Sequence, residues 1–158
     1  MIDRRSALAA AAAVVLVLAG ASSAHSAGVF RVDDSGTVVS QNQVPMRWRK
    51  PAPGRNADHT VEARLRVSLR LNLAPWINQP VRLYMGLAPA ISGPVQASWR
   101  TQGRLLSGAT RSGTRALVFD GTVAAGVLEE TLELALETDG RALVSSESLQ
   151  FFFEVEPR

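Results

Sequence analysis

Apolar and polar residues alternate without a break from Val61 to Leu73. Val61, Ala63, Leu65, Val67, Leu69, Leu71 and Leu73 occupy one parity; Glu62, Arg64, Arg66, Ser68, Arg70 and Asn72 occupy the other. Successive side chains of a strand point to opposite faces, so the pattern predicts a long β-strand with one face buried and one in water. A helix would mix the two sets around its circumference. Such a strand needs neighbours within its sheet and a second layer over its apolar face.

The rest of the chain offers both. Val81, Leu83, Met85 and Leu87 alternate with Arg82, Tyr84 and Gly86, and Val95, Ala97 and Trp99 alternate with Gln96, Ser98 and Arg100. Leu117 and Phe119 mark a further strand that Asp120-Gly121 should stop. Leu132, Leu134 and Leu136 alternate with Glu133, Ala135 and Glu137; Leu128-Glu129-Glu130 is compatible with a helix start, but the alternation that follows favours strand. The last segment sets Leu149, Phe151, Phe153 and Val155 against Gln150, Glu154 and Glu156, with Phe152 out of pattern. Between these runs lie a connection bracketed by Pro75 and Pro80, a break from Pro89 to Pro94, a glycine-containing loop from Ser107 to Gly113, and Asp139-Gly140, a hairpin-turn signal. Seven or eight short strands with no convincing helix predict an all-β, immunoglobulin-like antiparallel β-sandwich, without internal repeat or second domain.

The N-terminal segment follows a different pattern. Asp3-Arg4-Arg5 precedes an apolar run from Ala7 to Ala19, then Gly20 and small residues. This is the layout of a secretory signal peptide over residues 1–26, helical in character, with cleavage after Ala24 or Ser26. Its apolar run is shorter than the roughly 20 residues of a membrane span. Asp3 before the arginine pair and Ala7 after it favour general secretion over a twin-arginine route. The expected product, residues 27–158, is one exported domain that begins with an arm over residues 27–50. Within the arm, Asp33-Asp34-Ser35-Gly36 is a turn signal, so Val29–Val32 and Thr37–Val39 read as a hairpin. Phe30, Val32, Val38, Val44, Met46 and Trp48 also share one parity, so a single extended arm fits equally. Pro51 to His59 reads as an exposed loop.

Composition narrows the chemistry. The absence of cysteine excludes disulfides, thiol catalysis, cysteine-ligated metals and a lipidated-cysteine anchor. Seventeen basic against fourteen acidic residues leave only +3, so the high isoelectric point reflects arginine and does not argue for a nucleic-acid partner. The two histidines, His25 and His59, form no cluster, which argues against a metal site; a serine triad would need His59 as its base, and no nucleophile-elbow pattern surrounds any serine. No cofactor-binding glycine pattern is present. Glu129, Glu130, Glu133, Glu137, Glu154 and Glu156 concentrate in the final third. Two such acids suffice in principle for glycoside hydrolysis, but cross-strand pairing with Arg64, Arg66 and Arg70 accounts for them more simply, and no enzymatic activity is expected. Trp99 reads as the aromatic centre of the core. Trp48 reads as core or interface, and Trp76 as a lid over one end or an exposed contact for a sugar or protein.

Three segments together resemble subunits of chaperone–usher fimbriae, nearest the cysteine-free alpha (CS1-type) class. They are the arm around Phe30 and Val32; Pro94-Val95-Gln96-Ala97-Ser98-Trp99 with Gly103 and Leu105-Leu106-Ser107; and the terminal Leu149, Phe151, Phe153 and Val155. The resemblance implies an incomplete immunoglobulin-like fold whose apolar groove is filled first by a periplasmic chaperone and then by the arm of a neighbouring subunit. Phe30, Val32 and Val38 would be donor-arm residues at the subunit interface, and Leu149, Phe151, Phe153 and Val155 one lip of the groove. The protein would pass through the periplasm to a fimbrium or pilus on the cell surface and act in adhesion. Asp33-Asp34 interrupts the arm early, and the proline-rich loop after Lys50 departs from the pattern. Both fit an alternative, a self-complete periplasmic β-sandwich that binds a protein or glycan.

Overall fold

The structure, a computed structural model, describes residues 28–41, 43–50, 58–143 and 148–158. The expected signal peptide and most of the expected loop after Lys50 lie outside the described residues.

The described residues form ten strands: β1 (Phe30–Arg31), β2 (Val38–Val39), β3 (Arg47–Trp48), β4 (Thr60–Asn72), β5 (Pro80–Leu87), β6 (Gln96–Arg100), β7 (Gly108–Arg111), β8 (Thr114–Thr122), β9 (Val127–Asp139) and β10 (Phe151–Pro157). They build two antiparallel sheets, one ordered β1-β10-β5-β8 and the other β2-β4-β9-β6-β7, with β3 also paired to β4. The fold is the all-β sandwich that the alternation predicts. Seven strands match the expected count; the other three are two-residue pairings made by the arm.

The strand expected at Val61 to Leu73 is β4. It pairs with β9 along its whole length, from Thr60 opposite Asp139 to Asn72 opposite Val127. Its apolar row, including Leu69 and Leu71, faces the other sheet, where Val81, Leu83, Met85 and Leu87 of β5 and Phe153 and Val155 of β10 are buried. Trp99 is 2% exposed, and its indole N–H donates to the Leu106 carbonyl at 2.9 Å. That bond satisfies the one polar atom of the ring and fixes its orientation in the core.

Several local expectations differ from the structure. Segment Ser107 to Gly113 is not simply a loop, because Gly108–Arg111 forms the edge strand β7 against β6. A Cβ on Gly108 would lie 3.0 Å from the Trp99 ring, so this glycine serves the close approach of β7 to the indole. β8 does not stop at Asp120-Gly121, since both pair with β5 as Arg82↔Asp120 and Val81↔Gly121. The register shifts between Leu83 and Tyr84, whose partners are Phe119 and Leu117. This bulge buries Val118 and resets the parity of Leu117 and Phe119. Asp139-Gly140 is a turn but not a hairpin, because β9 and the next strand, β10, belong to different sheets. Phe152 points away from the core and lies across Gly86, with the Arg31 guanidinium 4.5 Å from its ring centroid. Its break from the pattern therefore covers a glycine on the outer face.

Cross-strand ion pairs form at Arg66–Glu133 (3.6 Å) and Arg70–Glu129 (3.4 Å), as the sequence predicts. Arg64 instead stands opposite Ala135 and has no ion pair among the described residues. Glu154 and Glu156 are on the other sheet, where both bind Arg115 at 2.9 and 2.5 Å. They pair there because β10 packs beside β5 and not beside β4. The Arg115 guanidinium holds the Glu156 carboxyl below the usual carboxylate range.

Candidate functional site

The two sheets meet along two flanks, and only one is closed by a continuous turn of chain. On the β7/β8 flank the backbone passes from one sheet to the other through Ser112 and Gly113. The Ser112 and Gly113 N–H groups donate to the Val95 and Leu87 carbonyls at 2.9 and 2.7 Å. The opposite flank, between β10 and β4, is closed by the N-terminal arm.

The arm neither forms a hairpin on itself nor runs as one extended strand. β1 pairs with β10, setting Phe30 opposite Val155 and Arg31 opposite Glu154. Two consecutive residues then step between the sheets. The Val32 N–H donates to the Phe153 carbonyl, and the Asn72 N–H donates to the Asp33 carbonyl, both at 2.9 Å. The turn that follows is held by Ser35 N–H to Asp33 Oδ1 at 3.0 Å and Thr37 N–H to the Asp34 carbonyl at 2.9 Å. Accepting the Ser35 N–H keeps the Asp33 carboxyl below its ordinary range. β2 and β3 then lie along the outer edge of β4, as Val38↔Ser68 and Val39↔Val67, then Arg47↔Glu62 and Trp48↔Val61. Ser40 adds a bond to the Arg66 carbonyl, and Arg49 one to the Thr60 carbonyl. Among the described residues, no hydrogen bond from the arm reaches Arg64, midway along this edge.

Beneath the arm is a cavity of about 830 Å³. Leu65, Val67 and Leu69 of β4 and Leu132, Leu134 and Leu136 of β9 line one side. Met85, Phe151, Phe153 and Leu149 line the other, with Val44, Pro45 and Met46 across the top. Polar residues at its margin include Asp34, Thr37, Gln41, Gln43 and Ser148. No described buried side-chain polar atom lacks a hydrogen-bond partner, so the interior presents no unpaired polar group to a ligand. Its chemistry is that of an apolar slot between two strand edges.

The expected site residues divide across this geometry. Of the donor-arm set, Val32 alone is a plug, at 2% exposed. Phe30 is 48% exposed and its ring meets Trp76, 6.2 Å between centroids, outside the cavity lining. Val38 is 64% exposed on the outer face opposite Ser68. The shared parity of these residues is lost because the chain crosses between sheets at Val32–Asp33 and turns immediately afterwards. Of the expected groove lip, Leu149, Phe151 and Phe153 line the cavity, whereas Val155 is fully buried beside Phe30 and outside it. Val44 and Met46 lie over the cavity on the strength of the arm's apolar parity. Nothing in the sequence distinguishes Leu65 and Val67 from the better-packed residues of the same row. Trp76 follows Pro75 in the 3-10 turn Ala74–Trp76 and packs half-buried against the core, a lid whose ring meets that of Phe30 at a tilt of 53°.

Among the described residues, no group of three His, Cys, Asp or Glu side chains comes together as a metal site would require. The acids of the final third are divided: Glu129, Glu133 and Glu137 lie on the outer face of one sheet and Glu154 and Glu156 on that of the other, while Glu130, opposite Leu69, accepts bonds from the Arg104 and Leu105 N–H groups. No described helix is long and apolar enough to cross a membrane. No family model, curated protein or solved structure matches the chain.

Proposed function

We propose that this chain is an exported structural subunit of a surface fibre, assembled by exchange of its N-terminal arm between neighbouring copies or related subunits. The observation that carries the reading is the apolar cavity beneath an arm held by two-residue ladders. Its apolar walls are partly open to water, and each Å² of them that an occupant covers gains about 25 cal/mol, so a better-fitting apolar occupant is favoured. An extended strand from another subunit supplies one, with backbone bonds to the β10 and β4 edges and alternate side chains inserted among Leu65, Val67, Phe151 and Phe153. Release of the resident arm exposes those edges at the cost of few ladder bonds. A periplasmic chaperone would cover the same edges before assembly, which prevents indiscriminate pairing.

The arm's docking onto both sheets of its own chain favours a second reading, a self-complete binding module. Deleting residues 27–39 separates the two. Strand exchange expects aggregation or polymers of the truncated chain, cured by adding an arm peptide. A stable monomer whose melting is unchanged by the deletion would sink it.

A further inference from the structure

The outer faces of the two sheets treat their arginines differently. On the four-stranded sheet, Arg82 and Arg158 pair with Asp120, Arg115 pairs with Glu154 and Glu156, and Arg31 lies over Phe152. On the six-stranded sheet, Arg49, Arg66 and Arg70 are paired, Arg49 with both Glu62 and Glu137. Arg47, Arg64, Arg100 and Arg111 point outward on the same face, exposed, with no ion-pair partner among the described residues. The uncompensated positive charge of these two faces is therefore gathered on one of them.

Strand register locates it. Arg64, Ala135, Ser98 and Ala109 stand in one row across β4, β9, β6 and β7. The next row on one side holds Arg66, Glu133 and Arg100; that on the other holds Glu62, Glu137, Gln96 and Arg111. From the spacing of strands and of alternate residues, Arg64, Arg100 and Arg111 are roughly 12–16 Å apart, Cα to Cα. Short side chains lie between them, so three long guanidinium-bearing side chains surround a low floor.

We infer that this face binds an acidic polysaccharide whose carboxylates are widely spaced along the chain. A guanidinium takes a carboxylate through two parallel N–H···O bonds. The separation of the free arginines suits anionic groups set apart by neutral sugar. Glu133 and Glu137, interleaved with the arginines, accept bonds from hydroxyls but repel closely spaced anions, and Gln96 and Ser98 add further hydroxyl partners. Nucleic acid fits this face less well. Its phosphates are dense, single strands are held by stacking on aromatic rings, and no aromatic side chain points outward from the described part of this face. The inference is independent of whether the arm is exchanged.

The test is equilibrium binding at low salt with four probes. These are hyaluronan, with one uronate per disaccharide; polygalacturonate, with one per sugar; neutral dextran; and oligo-dT. Hyaluronan should bind, dextran should not, and the affinity should fall as salt rises. Replacing Arg64, Arg100 and Arg111 together by Ser should weaken hyaluronan binding at least tenfold without moving the melting temperature, since none of the three has an ion pair to lose among the described residues. Arg82→Ser on the other sheet should leave binding unchanged. If the triple variant folds poorly, Arg100→Ser alone should still weaken binding severalfold. Absent hyaluronan binding, equal binding of dextran, tighter binding of polygalacturonate or oligo-dT, or undiminished binding by the variants would each overturn the inference.

Discussion

The two flanks of the sandwich solve the same problem with unequal means. Both must join a sheet of four strands to one of six and keep water from the core. At the β7/β8 flank the chain turns directly from one sheet to the other at Ser112–Gly113, and at the other end of β7 Trp99 packs against Gly108, tied to the Leu106 carbonyl. At the β10/β4 flank the closure comes from residues distant in sequence. The arm reaches β10 with two residues, inserts Val32, and meets β4 with two more pairs on each side of Arg64. The first flank is packed; the second covers a cavity. Local stability follows the density of buried apolar contact and protected hydrogen bonds. The arm flank should therefore open while the rest stays folded, which is the property that exchange of a strand requires.

Substitution at the packed flank gives the largest expected effect. Trp99→Ala should cost about 3–5 kcal/mol, read as a lowered urea midpoint for the whole domain, with amides throughout both sheets losing protection together. A loss confined to β6 and β7 would mean that this flank, too, opens by itself.

Val32→Ala at the arm flank should cost less, about 1–2 kcal/mol. Its signature should be local: faster hydrogen exchange at Val32, Thr37, Ser40 and Asn72, with β5 and β9 unaffected. A cost equal to that of Trp99→Ala, spread over the entire domain, would show that the arm is as integral as the turn opposite and would erase the distinction between the flanks.

The smallest effect concerns acid. Asp33 has a carboxyl lowered first of all by its bond from the Ser35 N–H. A group whose folded pKa is depressed stabilises above its unfolded pKa, near 3.8, and loses that contribution as pH falls through the lower folded value. The Ser35 amide resonance should therefore titrate below the ordinary carboxylate range, and the arm should loosen there before the sheets do. Asp33→Ala should abolish the titration while changing the global melting midpoint less than Val32→Ala. An Asp33 titration at or above 3.8 would contradict it.

The outer faces offer a second contrast, legible only in part from sequence. Alternation puts Arg64, Arg66 and Arg70 on one outward row, and the acids of β9 are the natural partners for such a row. Which arginine meets which acid depends on register across β4 and β9. That register places Ala135, not a glutamate, opposite Arg64. The acids of β10 are equally regular in sequence but sit beside Arg115, because the chain crosses to the other sheet after Asp139.

What the sequence determined by itself is the set of long strands and their buried faces. Period-two alternation is a local property, written in consecutive residues from Val61 to Leu73, Val81 to Leu87 and Leu132 to Leu136, and burial of one face demands it wherever those strands pair. That Leu149, Phe151 and Phe153, which line the cavity, share one face was legible for the same reason. Only the tertiary structure decided which strands became neighbours, where the chain changed sheets, and how the arm was divided between two edges. Phe30, Val32 and Val38 share a parity, yet a crossing of two residues at Val32–Asp33 leaves one of them buried and two exposed. The cavity is likewise invisible in the sequence. Leu65 and Val67 follow the same alternation as Leu69 and Leu71, and whether such side chains meet a packed partner depends on the separation of two sheets, which is set by every contact between them.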